Sequence, residues 1–397
     1  MPGKIKRSKM QNKKKLLFVC NNLHVGGIQR SLVNLLGEIS DKYDVTLFLF
    51  YPSGEYEIPP GVRLISGNKF TRIMGMSQSE ADMEGTTAKL WRSTWTVLTR
   101  AVGCKIPFGL LCRFQKIHGE FDAAISFMQN SAFRYFYGGC NEFTVKSVSA
   151  KRKISFVHCD FEHYFGNNKY NREYYKNFDA IACVSESCKN VFGRACPELV
   201  HKTAAVHNCF NYEEMHKAAD EFLAEHTEGK INIFTSARIS EEKGIFRAIR
   251  ILGSLKNKGY DFVWRIAGSG ALYEKAVAEC KNSGLEENII FLGLLKNPYP
   301  YFKTADLLLV PSYDEAAPMV YGEAEAFGTP ILTTDTVSAR ELVSDKGIGL
   351  VCENSESGIE RALERLLKNP KELYGMRYLP HGDNSRAVSE FDNIILG

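Results

Sequence analysis

Residues 231–255 decide the fold: Ile231-Asn232-Ile233-Phe234-Thr235-Ser236, then Ala237-Arg238-Ile239-Ser240-Glu241-Glu242-Lys243-Gly244-Ile245, then Phe246-Arg247-Ala248-Ile249-Arg250-Ile251-Leu252-Gly253-Ser254-Leu255. Three of the first six, Ile231, Ile233 and Phe234, are large and apolar, and the run reads as a strand. A polar loop with two cations follows, and from Phe246 to Leu255 the apolar residues return at helical spacing. Strand, loop and helix in that order are the unit of a parallel sheet wrapped by helices. The unit recurs, with further strands expected at Phe262–Ala267, Ile289–Leu292, Leu307–Val310, Ile331–Thr333 and Gly349–Val351. A helix is expected over Ile359–Leu367, stopped by Pro370.

The same alternation, less clean, precedes this stretch. Leu16–Cys20 reads as a buried strand, and Gly26-Gly27 introduces Ile28, Leu32, Leu35, Leu36 and Ile39 at helical spacing. Asp44–Phe50 and Val62–Ile65 follow; after a blurred region the strands resume at Phe121–Phe127, Ile154–His158, Phe178–Val184 and Thr203–His207. Between the halves, Glu213 to Lys230 is charged and weakly apolar. The expected organisation is a basic tail at 1–15, a Rossmann-like domain at 16–208, a linker at 209–230, a second Rossmann-like domain at 231–375 and a C-terminal tail at 376–397.

Composition agrees with two globular α/β domains: 397 residues, 44% hydrophobic and 24% charged. Seven of the 50 basic residues (Lys4, Lys6, Arg7, Lys9, Lys13, Lys14 and Lys15) precede position 16 with no acid among them, leaving 43 against 46 acids in the remainder. That balance excludes a globally basic nucleic-acid binder, while the tail itself suits an anionic lipid surface or plain solvation. Eleven scattered cysteines without a Cys-x-x-Cys pair speak against a disulfide framework or structural zinc and for a reducing cytoplasm. No apolar run approaches the ~18 residues needed to span a bilayer. Lys89–Lys116 breaks the alternation with six basic residues, two tryptophans, many aliphatics and no acid. It suits either a helix pair at a membrane interface or amphipathic helices packed on the first sheet.

Open α/β sheets bind ligands beyond the carboxyl ends of their strands, so polar residues just after strands are the candidates. Arg238 and Lys243 flank a loop leading into a helix, which suits a diphosphate; the plain alternative is a solvated basic loop beside Glu241 and Glu242. Glu315 and Glu323 are eight apart. If that interval is mostly helical, they lie on the order of 12 Å apart along the axis and could each hold a hydroxyl-bearing ring. Gly268-Ser269-Gly270 lacks the third glycine of a dinucleotide fingerprint, and there is no Gly-x4-Gly-Lys loop, so neither an NAD enzyme nor a P-loop NTPase is supported.

Read together, Arg238…Lys243-Gly244, Ile266-Ala267-Gly268-Ser269-Gly270, Phe291-Leu292-Gly293, Glu315-Ala316-Ala317-Pro318-Met319-Val320-Tyr321-Gly322-Glu323-Ala324 and Gly328-Thr329-Pro330 closely resemble the second domain of the retaining GT-B glycosyltransferases of family 4. The resemblance is strong over about residues 231–354. It extends more weakly through Gly26-Gly27-Ile28-Gln29-Arg30, His158, Val184-Ser185 and the Asn208 region. It implies two Rossmann-like domains facing each other across a cleft, the first binding the acceptor and the second the nucleotide-sugar, with the tail near Arg386–Leu396 folding back on the first. It also implies transfer of a sugar to an acceptor hydroxyl with retention, without a metal or resident cofactor. Arg238 and Lys243 would hold the diphosphate of a UDP- or GDP-linked donor, Glu323 the ribose, and Glu315 the sugar. Gly268 and the backbone at Ala317, Pro318, Met319 and Val320 would line the donor, and Leu294 and Leu295 would read the base. His158 would face the sugar, and Gly26, Gly27, Gln29, Arg30 and Asp160 would approach phosphate or acceptor.

Ala316-Ala317-Pro318 stands where many members carry Gly-Phe-Gly, and Pro318 brings no N–H; Tyr321-Gly322 replaces an aliphatic pair. Rival readings are a GT-B sugar-nucleotide epimerase or phosphorylase, and a nucleotide-sugar-binding protein without catalysis. The expected partners are the donor, a glycan or lipid-linked acceptor of cell-surface polysaccharide or glycolipid synthesis, and an anionic membrane touched by Lys4–Lys15 and Lys89–Lys116, with no nucleic acid. The expected location is the cytoplasm, peripheral at the inner membrane face.

Overall fold

The computed structural model describes residues 13–380 and 382–397; Lys4, Lys6, Arg7 and Lys9 of the basic tail lie outside them. Two parallel sheets organise the chain. The first contains β1 (Lys15–Cys20), β2 (Asp44–Leu49), β3 (Arg63–Ser66), β4 (Ile117–Ser126), β5 (Val148–Val157), β6 (Ala180–Cys183) and β7 (Thr203–Ala205) in the order β3-β2-β1-β4-β5-β6-β7. The second contains β8 (Ile231–Ser236), β9 (Phe262–Ala267), β10 (Ile289–Gly293), β11 (Leu307–Val310), β12 (Ile331–Thr334) and β13 (Gly349–Cys352) in the order β10-β9-β8-β11-β12-β13. Both therefore share the doubly wound order, in which the chain reverses direction across the sheet between the first strand and the fourth.

In the second sheet β8 pairs with β9 through Ile231↔Phe262 on one side and with β11 through Leu307↔Ile233 on the other. One sheet face packs Ile233, Trp264 and Leu309 against the helices Ile245–Asn257 and Glu356–Lys368. The opposite face packs Phe234, Leu308 and Ile331 against the helices Tyr212–Ala219, Tyr299–Thr304 and Met319–Glu325. Strands covered on both sides have no polar face to alternate, which is why β9 and β11 stand at the positions read from apolar runs alone.

Elsewhere local chemistry moved the boundaries. β4 and β5 begin earlier than their apolar runs because their first halves are polar. Parallel pairing nevertheless continues through Phe121↔Ala150, and the Lys151 Nζ to Asp122 Oδ1 ion pair is 2.7 Å. Pro370 does not only stop a helix; it opens the next one, Pro370–Gly375, where its fixed φ suits the first turn. The described residues form two compact units, one of residues 13–156, 168–181 and 395–397 and the other of residues 157–167, 182–380 and 382–394. The second unit thus begins well before Ile231, and Tyr212–Ala219, read as linker, is a helix that buries Met215 and Ala219 in the second core. All eleven cysteines are free thiols.

Lys89–Lys116 forms the helices Thr86–Val102 and Lys105–Leu111. Trp95, Phe108 and Leu111 are buried in the first unit's core, while Leu90, Val97, Ile106 and Phe114 are exposed. Packing on the unit and an outward apolar side therefore coexist. No helix among the described residues is long and apolar enough to cross a membrane.

A histidine network ties the second unit's early segments to its later ones. Glu341 accepts the N–H groups of Glu186 (3.0 Å) and Ser187 (2.7 Å), capping the helix Glu186–Ala195 from a distance, and Ser185 Oγ lies 2.6 Å from Ser338 Oγ. His207 Nε2 lies 3.0 Å from Glu341 and Nδ1 2.8 Å from Glu390. Burial pushes the His207 pKa down, but the two carboxylates outweigh it and hold it above its ordinary value. Burial likewise pushes Glu341 up, yet His207 and the N-terminal donors bring it to about 2. Because the histidine pKa is raised on folding, its contribution is full below about pH 6.5 and fades as pH rises through the raised value. The melting temperature of His207→Gln should accordingly fall furthest below wild type near pH 6, with the gap narrowing above about pH 8 in thermal unfolding followed by circular dichroism.

Candidate functional site

At the carboxyl end of β8 the backbone is laced to its neighbours. Ala237 N donates to Ala267 O (3.0 Å) and Ile239 N to Ser269 O (2.9 Å). A Cβ on Gly268 would sit 1.8 Å from Ala237 O, so only glycine allows the loops after β8 and β9 to lie this close. After the turn Glu241–Lys243, Gly244 takes φ +67°, and a Cβ there would meet Pro311 O at 1.8 Å. The β8 loop is thereby pressed against the loop that leaves β11.

That second loop, Pro311 to Pro318, carries Glu315. Its Oε1 accepts from Lys243 Nζ at 2.6 Å and from Ser312 Oγ at 2.8 Å, with side chains only 10% exposed for Glu315 and 21% for Lys243. Arg238 is exposed and forms no ion pair among the described residues. Together with Lys243 it acts on Glu242, whose carboxyl burial pushes up but which Ser240 and these cations hold below its usual value. The loop is held from behind by Arg247, which is 1% exposed. Its guanidinium donates to Pro311 O (2.8 Å), Ser312 O (2.6 Å) and Asn354 Oδ1 (2.9 Å), and it stacks 3.7 Å over the Tyr313 ring.

Glu323 lies in the helix Met319–Glu325 and is 5% exposed. Since 315–318 is loop, only Met319–Glu323 of the interval is helical, and the axial estimate made for a helical interval does not apply. Pro318 is the N-cap and makes no side-chain cap bond, leaving the first-turn N–H groups of Met319 and Val320 without one. Asn208 Nδ2 donates to Ala317 O at 3.1 Å, fixing the loop in front of the helix. Tyr321 OH meets Thr333 Oγ1 at 2.7 Å, and Gly322 leaves room for the Phe210 ring, which a Cβ would approach to 2.2 Å.

The segment after β5 belongs to the same unit. His158 is half-buried. Asp160, 7% exposed, accepts from Glu162 N at 3.1 Å and binds His163 Nδ1 at 2.8 Å, so its first task is to hold this turn. Desolvation first, then the negative charge of Asp160 and Glu315, raises the Asp314 carboxyl above its ordinary value, and His163 and Lys243 oppose that. The structure thus gathers Asp160, His163, Asp314, Glu315 and Lys243 within electrostatic reach.

β10 ends at Gly293, whose carbonyl accepts from Gly268 N at 2.7 Å. Leu294 beyond it is 59% exposed, and Leu295 packs against the second core. Gly26, Gly27, Gln29 and Arg30 lie in the first unit, at the start of the helix Gly27–Ile39, which has no side-chain cap and no acid in its first turn. The Arg30 guanidinium lies 5.2 Å over the Tyr56 ring.

Arg247 is the residue that sequence reasoning missed, because an arginine in an amphipathic helix reads as its wet side. Its position four residues after Lys243, on the turn facing the next strand's loop, is the only signal. Removing it takes the side-chain donor from the buried Pro311 O and leaves Ser312 O to Thr334 Oγ1, so Arg247→Met should lower stability by about 2 kcal/mol in urea unfolding and loosen the Glu315 loop.

Residues 217–378 match the family model described as glycosyl transferases group 1. An uncharacterized glycosyltransferase of Haemophilus influenzae is 28% identical over 160 residues, 40% of this chain and 44% of that one. The N-acetylgalactosamine-N,N'-diacetylbacillosaminyl-diphospho-undecaprenol 4-alpha-N-acetylgalactosaminyltransferase of Campylobacter jejuni is 30% identical over 141 residues, 35% of this chain and 38% of that one. The chain spans less than half the length of the curated relatives it matches. Among solved structures, Anabaena HepE in complex with UDP and glucose superposes with a TM-score of 0.64 at 13% identity, covering 96% of each chain. These likenesses show a GT-B fold of two parallel-sheet α/β units, with the glycosyl transferases group 1 signature on residues 217–378.

Proposed function

We propose that the protein is a retaining, metal-independent glycosyltransferase of the family 4 type, moving a hexosyl group from a nucleotide-sugar to an acceptor hydroxyl in polysaccharide or glycolipid synthesis. The observation that carries this reading is the Lys243–Glu315 contact where the loops after β8 and β11 meet, with Arg238 on the same β8 loop and in no ion pair among the described residues. The switch point of a doubly wound sheet is where a diphosphate is expected, and two cations suit its charge. The family match covers this site, the Campylobacter relative's name specifies a diphospho-undecaprenol acceptor, and HepE was solved with UDP and glucose.

In the proposed reaction the bond between the sugar's anomeric carbon and the β-phosphate oxygen breaks, and the acceptor oxygen bonds to that carbon on the same face. The acceptor proton passes to the departing diphosphate oxygen. Arg238 and Lys243 offset the charge that grows on that diphosphate, and the uncapped N–H groups of Met319 and Val320 add donors, so the stabilisation is electrostatic. Glu315, already bonded to Lys243, orients the ammonium and receives sugar hydroxyls. Glu323 binds the ribose, Gly268 admits the phosphates, Leu294 and Leu295 border the base, and His158 faces the sugar. Gly26, Gly27, Gln29, Arg30 and Asp160 belong to the phosphate and acceptor side. Among UDP, GDP, ADP and CMP, one of the first two should give the largest thermal shift. Glu323→Ala should weaken its binding, and His158→Ala should mainly lower kcat; unchanged activity in both variants refutes the assignment. Product that appears only with an acceptor present separates transfer from epimerisation.

The reading extends to a cytoplasmic protein resting on the inner membrane face. It is supported by Lys89 and Lys105 interleaved with exposed Leu90, Val97 and Ile106 on the helices Thr86–Val102 and Lys105–Leu111. Vesicles rich in phosphatidylglycerol should float the protein at low salt, and Val97→Glu with Ile106→Glu should abolish flotation without changing the UDP-induced thermal shift.

A further inference from the structure

The first unit holds a cavity of about 720 Å³ that is separate from the residues assigned above. It opens where ligands of doubly wound sheets bind: Asn22 and His24 follow β1, Ser77 to Glu80 follow β3, and Arg134 to Tyr137 follow β4, with Arg92 and Arg100 on the helix Thr86–Val102 closing the side.

Its charge is lopsided. Glu80 is the single acid in the lining and is already engaged, with Oε1 2.7 Å from His24 Nε2 and Oε2 accepting Ser77 N at 2.6 Å. Three arginines stand against it. Arg92 is 6% exposed and donates only to neutral acceptors: Met76 O at 2.9 Å, Gln78 Oε1 at 3.1 Å, Thr96 Oγ1 at 3.2 Å and Phe136 O at 3.2 Å. Its orientation is fixed and no carboxylate bonds to it, Glu80 and Asp82 acting on it only from a distance, an arrangement that an arriving anion would stabilise. Arg100 and Arg134 are exposed and form no ion pair among the described residues. Tyr137, whose hydroxyl accepts from Asn22 Nδ2 at 3.1 Å, and the exposed Tyr135 add ring faces and a hydroxyl.

We infer that this cavity binds the anionic portion of the acceptor, a saccharide bearing a phosphate or carboxylate group, with Arg100 and Arg134 as its movable clamps and Arg92 as its fixed one. The assignment of the ligand as acceptor rests on the glycosyltransferase reading; the anion site itself does not. A neutral glycan would leave the Arg100 and Arg134 donors unused and the Arg92 charge without a carboxylate, whereas a charged one meets charge-assisted donors on two sides.

The test is titration calorimetry on the full chain with inorganic pyrophosphate, farnesyl diphosphate and glucuronate, each with the nucleotide site saturated by UDP. Arg100→Ala combined with Arg134→Ala touches only exposed side chains and avoids the folding risk of replacing Arg92. At least one probe should bind wild type and lose about tenfold or more in this double variant, with UDP affinity unchanged; Lys243→Ala should show the converse. Preference for the two diphosphates identifies a phosphate-bearing acceptor, and preference for glucuronate an acidic sugar. No binding by any probe, or equal binding in the double variant, overturns the inference. Failure of both UDP and GDP to bind overturns the donor-site reading and leaves the anion site standing; if GDP binds and UDP does not, GDP takes the place of UDP in every arm.

Discussion

Everything in the second unit's site depends on a single ion pair between two loops, Lys243 to Glu315, at the point where the chain crosses from one side of β8 to the other. Opposite unit charges about 4 Å apart near a protein surface attract by about 4 kcal/mol, and taking them partly out of water opposes much of that. The pair is therefore weak support for stability and strong support for geometry. It fixes an ammonium beside a carboxylate within a loop that Arg247 braces from the inside, so a ligand finds the cation already aimed. Gly244 and Gly268 make the same arrangement possible from the backbone side, since a side chain at either position would drive its loop off its neighbour.

Departures from the pattern of the glycosyltransferases that the sequence resembles acquire a physical account in this setting. Pro318 cannot donate an N–H, but it sits at the N-cap, where its fixed φ starts a helix and leaves the following N–H groups uncapped. Gly322 in place of an aliphatic residue gives its space to Phe210, and Tyr321 spends its hydroxyl on Thr333. Both substitutions repack the helix that carries Glu323 without removing the carboxylate.

How legible these features were follows from burial. Strands β9 and β11 are covered on both faces, so their apolar runs end where the strands end, whereas β8 continues past Phe234 through the buried Thr235 to Ser236. β4 and β5 could not be read so well, because Arg152 and Lys153 pair through their backbones regardless of their charge. Arg238, Lys243 and Glu315 were legible because the ends of strands are where polar side chains have chemical reasons to be. Arg247 and His207 were not: each satisfies a buried network assembled from residues far apart in sequence, a property no local pattern records.

The two sheets share one strand order and diverge in what stands beyond their carboxyl ends. In the second sheet each candidate cation has an acid close by: Lys243 meets Glu315 directly, and Arg238 acts on Glu242. Beyond the first sheet the acid has been taken by His24 and Ser77, and three arginines face the cavity without a carboxylate partner. A balanced site exchanges one partner for another as a diphosphate enters and leaves, which suits a donor half that must release its product. An unbalanced one gains most when an anion fills it, which suits a half whose task is to select and hold. The same fold thus yields two sites of different electrostatic character from the choice of which strand-end loop supplies the carboxylate.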